Sequence, residues 1–373
     1  MKVVTFHPLF LVVVLFVSGC ESDQLPATAS PTPRTLPTSV QPVVPSPLPT
    51  LSTPTPTVVA NVPDSRRLAQ SVSAGINFLH QSQLPYGEFK TYACSNEEMT
   101  SDCHFDSSPF VTTFVLYSLS FGDDPRIKEM TDSAIQFFLD EMDSRGLWKY
   151  WTSRNERNIV PDLDDTACVS HVLMSHGIPF RSNADLILAN RDGQGKFYTW
   201  IQEPNRKNDI DCVVNANVLL YLGENQGTGD TCQYLNSVVS GGLEDRCSPY
   251  YPDKISFYYM LSRAYFNGVS CLGASRDSVV ERVILMQQDN GSFGDEFSTA
   301  LAIGTLLNLH DHNPRVSKAI EYLLDKQTKD GSWSRSLFFV GPAPSPYLYF
   351  GSEELTTALC IEALSRYWVF SQQ

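Results

Sequence analysis

Positive charge is scarce in this chain. Its 373 residues carry 27 Lys and Arg against 41 Asp and Glu, a formal net charge of −14. Such a surface repels a phosphate backbone, and no basic stripe interrupts it, so nucleic acid is excluded as a partner. Long apolar runs are missing too. Past residue 19 none approaches the ~20 residues needed to cross a bilayer. A Gly-x-Ser-x-Gly elbow and a phosphate-cradling glycine loop are both absent, which removes the serine-hydrolase and P-loop routes to chemistry. Over residues 21–62 almost all charge disappears after Asp23, leaving Pro, Thr, Ser and Val with Pro-Thr-Pro at 31–33 and 54–56. Such a segment has nothing with which to build a core and favours extended conformations.

In front of that linker, residues 1–19 read as a signal peptide, with Lys2 as its basic end and Leu9 to Val17 as its apolar core. Val17-Ser18-Gly19-Cys20 resembles the bacterial lipobox. The resemblance implies cleavage before Cys20 and lipidation of its thiol. It predicts a lipoprotein of the bacterial cell envelope, extracytoplasmic and membrane-anchored through residues 20–62 without spanning the bilayer. The folded domain is then expected over residues 63–373.

That region repeats itself. Gln83, Gly87 and Phe89 share the spacing of Gln287, Gly291 and Phe293 and of Gln327, Gly331 and Trp333. Met142, Gly146 and Trp148, then Arg191, Gly195 and Phe197, keep the glycine and the aromatic. Each copy follows an amphipathic helical pattern, expected at 65–80, 125–140, 182–190, 230–239, 276–287 and 314–326. Each precedes a helix apolar nearly all round, starting near Ser108, Asp164, Asp211, Lys254, Phe297 and Glu354. Helices of the second kind must be buried on all sides. Six hairpins with the apolar helices inside make a single all-α (α/α)6 toroid with inner and outer rings. The glycine is expected to take the left-handed position ending the outer helix, and the Gln amide to bond exposed backbone nearby. The inner helices then start at one rim.

The repeats, with Thr-Ala opening the inner helices, resemble the squalene–hopene and oxidosqualene cyclase family, and more distantly the prenyltransferase β-subunit toroid. The likeness spans nearly all of 63–373. Asp162-Leu163-Asp164-Asp165-Thr166-Ala167 resembles the Asp-x-Asp-Asp-Thr-Ala motif of class II terpene cyclases residue for residue. It implies that Asp164 protonates an alkene or epoxide, with Asp162 and Asp165 in support. Three carboxyls in four residues cannot all ionise easily, while a helix N-terminus favours the ionised form. Helix capping is the competing role for these aspartates, and Asp211, Asp253 and Asp295 occupy comparable positions.

This chain supplies one toroid where full-length triterpene cyclases resemble two. The histidine that supports the family's acid has no obvious counterpart, since His171 lies two helical turns, ~10 Å, from Asp164. No cofactor or metal is expected: Asp230-Thr231-Cys232 has the spacing of a prenyltransferase-type zinc site but falls on an outer-helix start with Cys232 a disulfide candidate, His310-Asp311-His312 falls after an inner helix at the opposite rim, and the Cys-Gly-Glu-Gln of thioester toroids is missing. Aromatic groups expected around a substrate are Trp148, Trp151, Phe197, Trp200, Phe110 and Phe257. Eight cysteines besides Cys20 allow 105 pairings. The expected local bridges are Cys94 with Cys103 and Cys232 with Cys247, leaving Cys168, Cys212 and Cys360 as buried thiols. Three functions follow: acid-initiated cyclisation or isomerisation of a polyprenyl lipid, binding of a protein, lipid or glycan without catalysis, or glycoside chemistry pairing Asp164 with Asp211 or Asp295.

Overall fold

A computed structural model describes residues 64–311, 313–342 and 348–371. The signal peptide, Cys20 and the linker lie outside the described residues. Twelve helices alternate along the described chain. The inner ones are α2 (Pro109–Leu119), α4 (Leu163–Ser175), α6 (Cys212–Leu222), α8 (Lys254–Phe266), α10 (Glu296–Asn308) and α12 (Glu353–Ser371). The outer ones are α1 (Ser65–Ser82), α3 (Pro125–Glu141), α5 (Ala184–Ala189), α7 (Gly229–Ser240), α9 (Arg276–Met286) and α11 (Arg315–Lys326). Each inner helix packs on the next, and α12 packs back on α2, so the ring is closed. Every residue of α2 is buried, as an all-round apolar helix requires, whereas α11 buries only Val316, Ala319, Ile320, Leu323 and Leu324 on one stripe. Among the described residues no helix is long and apolar enough to cross a membrane.

The repeated residues hold neighbouring hairpins together. Gln83, Gln287 and Gln327 are the C-cap residues of α1, α9 and α11, in extended conformation. The Gln83 amide donates to the Gly87 carbonyl at 2.9 Å and to the Met130 carbonyl of α3 at 2.8 Å. Gln327 does the same to Gly331 and to Ser71 of α1, which stitches the last hairpin to the first. The glycine therefore does not terminate the helix, as expected from sequence; it sits four residues later. Gly331 has φ +94°, and a Cβ there would lie 2.4 Å from the Ala74 carbonyl oxygen, so both the turn and the approach of the next outer helix require it. The following aromatic donates its backbone N–H to an inner-helix side chain: Phe89 to Thr112, Trp148 to Thr166, Phe293 to Thr299 and Trp333 to Thr357. In the third unit Asn215 takes the threonine's place, accepting from Phe197 at 2.8 Å.

One element was not expected from sequence. Strands β1 (Thr91–Cys94), β2 (His104–Asp106), β3 (Phe339–Val340) and β4 (Tyr349–Gly351) form an antiparallel sheet in the order β2-β1-β4-β3. It joins the segments leading into α2 and α12, and so lies on the rim where inner helices begin.

Cys94 and Cys103 are bridged across the β1–β2 hairpin. The expected Cys232–Cys247 bridge is corrected: Cys247 pairs with Cys212, and Cys232 with Cys271. Closeness in sequence misled, because Cys232 is on outer helix α7 while Cys247 follows a 3-10 turn that returns the chain to the inner ring. Cys212 is thus a bridged residue and no free thiol. Cys168 and Cys360 are free and buried.

Candidate active site

Asp162, Asp164 and Asp165 all line one cavity of about 100 Å³ at the inner-helix N-terminal rim. The walls are aromatic and aliphatic: Phe110, Tyr150, Trp151, Ile159, Trp200, Val214, Tyr250, Tyr251, Phe339 and Phe350. Phe339 stacks on Phe350 at 4.9 Å, and Tyr150 meets both edge-on. The tryptophans are tied at their edges. Trp151 donates to Asp106 at 3.2 Å, and Trp200 to the Tyr250 hydroxyl at 3.0 Å, which in turn donates to Asp209 at 2.5 Å.

Capping and acidity are divided among the three aspartates. Asp162 is the N-cap of α4, its Oδ1 accepting from the Asp165 N–H at 2.8 Å. Asp211, Asp253 and Asp295 cap α6, α8 and α10 in the same way. Asp164 is not a cap. Its Oδ1 accepts from the Asn217 amide at 2.6 Å, and its Oδ2 from the Tyr251 hydroxyl. Asp165 is buried, and its Oδ1 has no hydrogen-bond partner, like Oδ2 of Asp162 and the Tyr150 hydroxyl.

Burial raises all three carboxyls. Asp162 rises to about 7, chiefly through desolvation, with the Asp164 charge adding to it and the Asp165 N–H opposing. Asp165 is pushed well above the carboxylate range by desolvation and then by the charges of Asp162 and Asp164. Asp164 is also raised by desolvation, but Tyr251, Asn217 and the charge of Arg263 all pull it down. Asp162 and Asp165 are therefore the members inclined to hold protons, and Asp164 is the member whose anion is best supported.

Arg263 lies behind it on α8. Its guanidinium is buried, donates to the Asn217 carbonyl oxygen at 2.7 Å, and sits 4.6 Å from the Phe114 ring centroid and 5.1 Å from Tyr117. Asn217 is thereby oriented: its oxygen faces the cation and its NH2 faces Asp164. His171 is buried and held neutral, its pKa lowered to about 4 by desolvation and then by Arg263.

Of the aromatic residues expected around a ligand, Phe110, Trp151 and Trp200 line the cavity. Trp148, Phe197 and Phe257 do not; they are buried in the core. Trp148 donates its indole N–H to the Phe138 carbonyl at 2.7 Å, and Trp148 and Phe197 are repeat aromatics, whose backbone ties to the inner helix direct them inward. Asp211 and Asp295 are not among the cavity-lining residues. Sequence reasoning missed Asn217, Tyr251 and Arg263. A signal existed for two of them: Asn217, with Asn215, breaks the otherwise apolar run of α6, and Arg263 puts a charge inside the inner helix α8. Among the described residues no cluster of His, Cys, Asp and Glu has the geometry of a metal site.

No family model matches this sequence. The chain is similar to the chloroplastic bifunctional levopimaradiene synthase of Pinus taeda, 24% identical over 189 residues. That alignment covers 49% of this chain and only 21% of the relative. Among solved structures it resembles the type II terpene cyclase MstE from Scytonema, with TM-score 0.65 and 16% identity, covering 82% of this chain and 99% of that one. A variant of the same cyclase is known in complex with its substrate, geranylgeranyl dihydroxybenzoate. A possible member of the GH105 family from Salmonella enterica is similar at TM-score 0.54 and 12% identity, covering 86% and 100%. At these identities the likeness speaks for architecture, and by that measure the chain has the α/α-toroid fold found in type II terpene cyclases.

Proposed function

We propose that this protein starts a cyclisation or isomerisation by protonating a carbon–carbon double bond of a polyprenyl lipid, with Asp164 as the acid. The observation that carries the reading is the junction of an aromatic cavity with a carboxyl that is not a helix cap and is held by two side-chain donors. Protonating an alkene requires a strong acid in a dry, apolar space. Asn217 and Tyr251 stabilise the carboxylate left behind, and Arg263 polarises Asn217 from the far side. Proton transfer to the terminal alkene carbon leaves a tertiary cation. The faces of Trp151, Trp200, Phe110 and Phe339 offer negative quadrupole potential around that charge. Asp162 and Asp165 line the same cavity and are inclined to hold protons, which makes them the reserve we assign for reloading Asp164.

The fold shared with MstE and its prenylated substrate supports the same substrate class. The alignment with the plant synthase covers only a fifth of that protein, so its activity does not carry over. A lipid anchor at Cys20 would place the cavity beside a bilayer in which polyprenes dissolve. Glycoside chemistry is the weaker reading, because Asp211 and Asp295 are occupied as helix caps.

The test is incubation of the domain with squalene, geranylgeraniol and longer polyprenols. Cyclised or double-bond-shifted product is expected from wild type and none from Asp164→Asn. Equal product from both removes Asp164 from the mechanism.

A further inference from the structure

We infer that the Cys212–Cys247 disulfide is a positioning element for the acid, clamping the two donors that hold Asp164. The inference rests on Asp164 being the functional carboxyl, as proposed above. Cys212 is the first residue of α6, five residues before Asn217. Cys247 stands four residues before Tyr251, in the loop leading to α8. The two arms that grip the carboxylate therefore hang from the two halves of one covalent bridge.

The connection between bridge and grip is continuous. The Cys212 N–H donates to the Cys247 carbonyl at 3.1 Å. Ser248, next in the chain, donates its hydroxyl to Oδ2 of Asp211, the residue capping α6. The Ser248 oxygen accepts from the backbone N–H groups of Tyr250 at 3.2 Å and Tyr251 at 2.9 Å, which turns the loop towards the cavity. Neither of the other bridges does this: Cys94–Cys103 closes a hairpin of the sheet, and Cys232–Cys271 joins α7 to the 3-10 turn before α9. Tyr251 precedes α8, which begins at Lys254, so its backbone is held by the Ser248 turn and not by helical hydrogen bonds.

The titratable groups around Asp164 are Asp162 capping α4, Asp165 and Cys168 on α4, Asp211 at the start of α6, Tyr251 in the loop, and Arg263 on α8. With the clamp loosened, Asp164 keeps its burial and its acidic neighbours and loses donors that stabilise its anion. Its titration then moves to higher pH.

The experiment follows the 13C signal of the Asp164 carboxyl by NMR in the full chain with its cysteines paired, assigned by its loss in Asp164→Asn. Cys212→Ala/Cys247→Ala is expected to raise the titration midpoint by about one pH unit. Tyr251→Phe with the bridge intact shifts it the same way, and Cys94→Ala/Cys103→Ala leaves it in place. An unchanged midpoint in the folded Cys212→Ala/Cys247→Ala protein overturns the inference. If that variant does not fold, partial reduction of folded wild type by a trialkylphosphine replaces it, and an unmoved Asp164 signal after loss of this bridge overturns the inference equally. The readout needs no turnover, so a protein that converts no polyprene leaves this result standing or falling on its own.

Discussion

Replacing Arg263 by Met separates acid strength from stability. The guanidinium is buried, makes no direct ion pair among the described residues, and reaches Asp164 through Asn217, by hydrogen bonds of 2.7 and 2.6 Å. With one amide between the charges, their attraction at an effective dielectric constant of ~20 is on the order of 1–3 kcal/mol. It lowers the pKa of Asp164, behind the direct hydrogen bonds from Tyr251 and Asn217. The sign follows from the role. In the proposed reaction Asp164 must be protonated to act, so activity is expected below its pKa and is lost as pH rises through it. Removing the cation raises that pKa, so the alkaline limb of kcat/KM moves to higher pH. At the same time the acid weakens, and the plateau rate falls by ~10- to 50-fold. Stability moves the other way or stays level, because a desolvated charge with incomplete partners is costly, and Met fits among Phe114, Tyr117 and Tyr259. The assay pairs pH–rate profiles with thermal melts. A variant that melts like wild type and keeps both limb and plateau refutes the coupling through Asn217. A uniform loss of rate with no shift of the limb refutes it as well.

Four buried carboxyls, Glu88, Asp162, Asp211 and Glu354, are raised to about 7, mainly by desolvation. Their folded-state preference for the proton stabilises the protein at low pH and is lost as pH climbs through 7, while His171, lowered to about 4, contributes the opposite slope between pH 4 and 6.5. With four groups against one, calorimetry is expected to give a higher Tm at pH 5.5 than at pH 8.5; a Tm that rises over that interval contradicts the burial. Gly331→Ala and Gly177→Ala both place a side chain at positive φ, but only the first drives a Cβ to 2.4 Å from a backbone oxygen, while nothing lies within 4 Å at the second. Chemical denaturation should show the first costing about 2 kcal/mol or more and the second about 1 kcal/mol, and equal costs would mean the hairpins are not in contact there. Trp148→Ala should cost about 3–5 kcal/mol of stability, as core truncations do, whereas Trp200→Ala should cost far less and reduce turnover instead. The reverse pattern would exchange their assigned roles.

The toroid was legible because its information is local and repeated. The Gln83, Gly87 and Phe89 spacing recurs since each copy solves one problem, a turn that must bond the next outer helix and the following inner one. Periodicity exposed both helix classes, since burial on one stripe and burial all round leave different patterns. The small sheet escaped because its strands are two to four residues long and its central pairing, β1 with β4, joins segments more than 200 residues apart.

Chain order alone determined the ring, its two layers and the rim carrying Asp162, Asp164 and Asp165. Only the tertiary structure decided which aspartate caps and which is gripped by side-chain donors. That choice depends on Asn217, Tyr251 and Arg263, brought from 53, 87 and 99 positions along the chain, where no periodic pattern operates. Bridge partners obeyed the same logic, since Cys247 meets Cys212 because the ring folds the chain back and not because they are near in sequence.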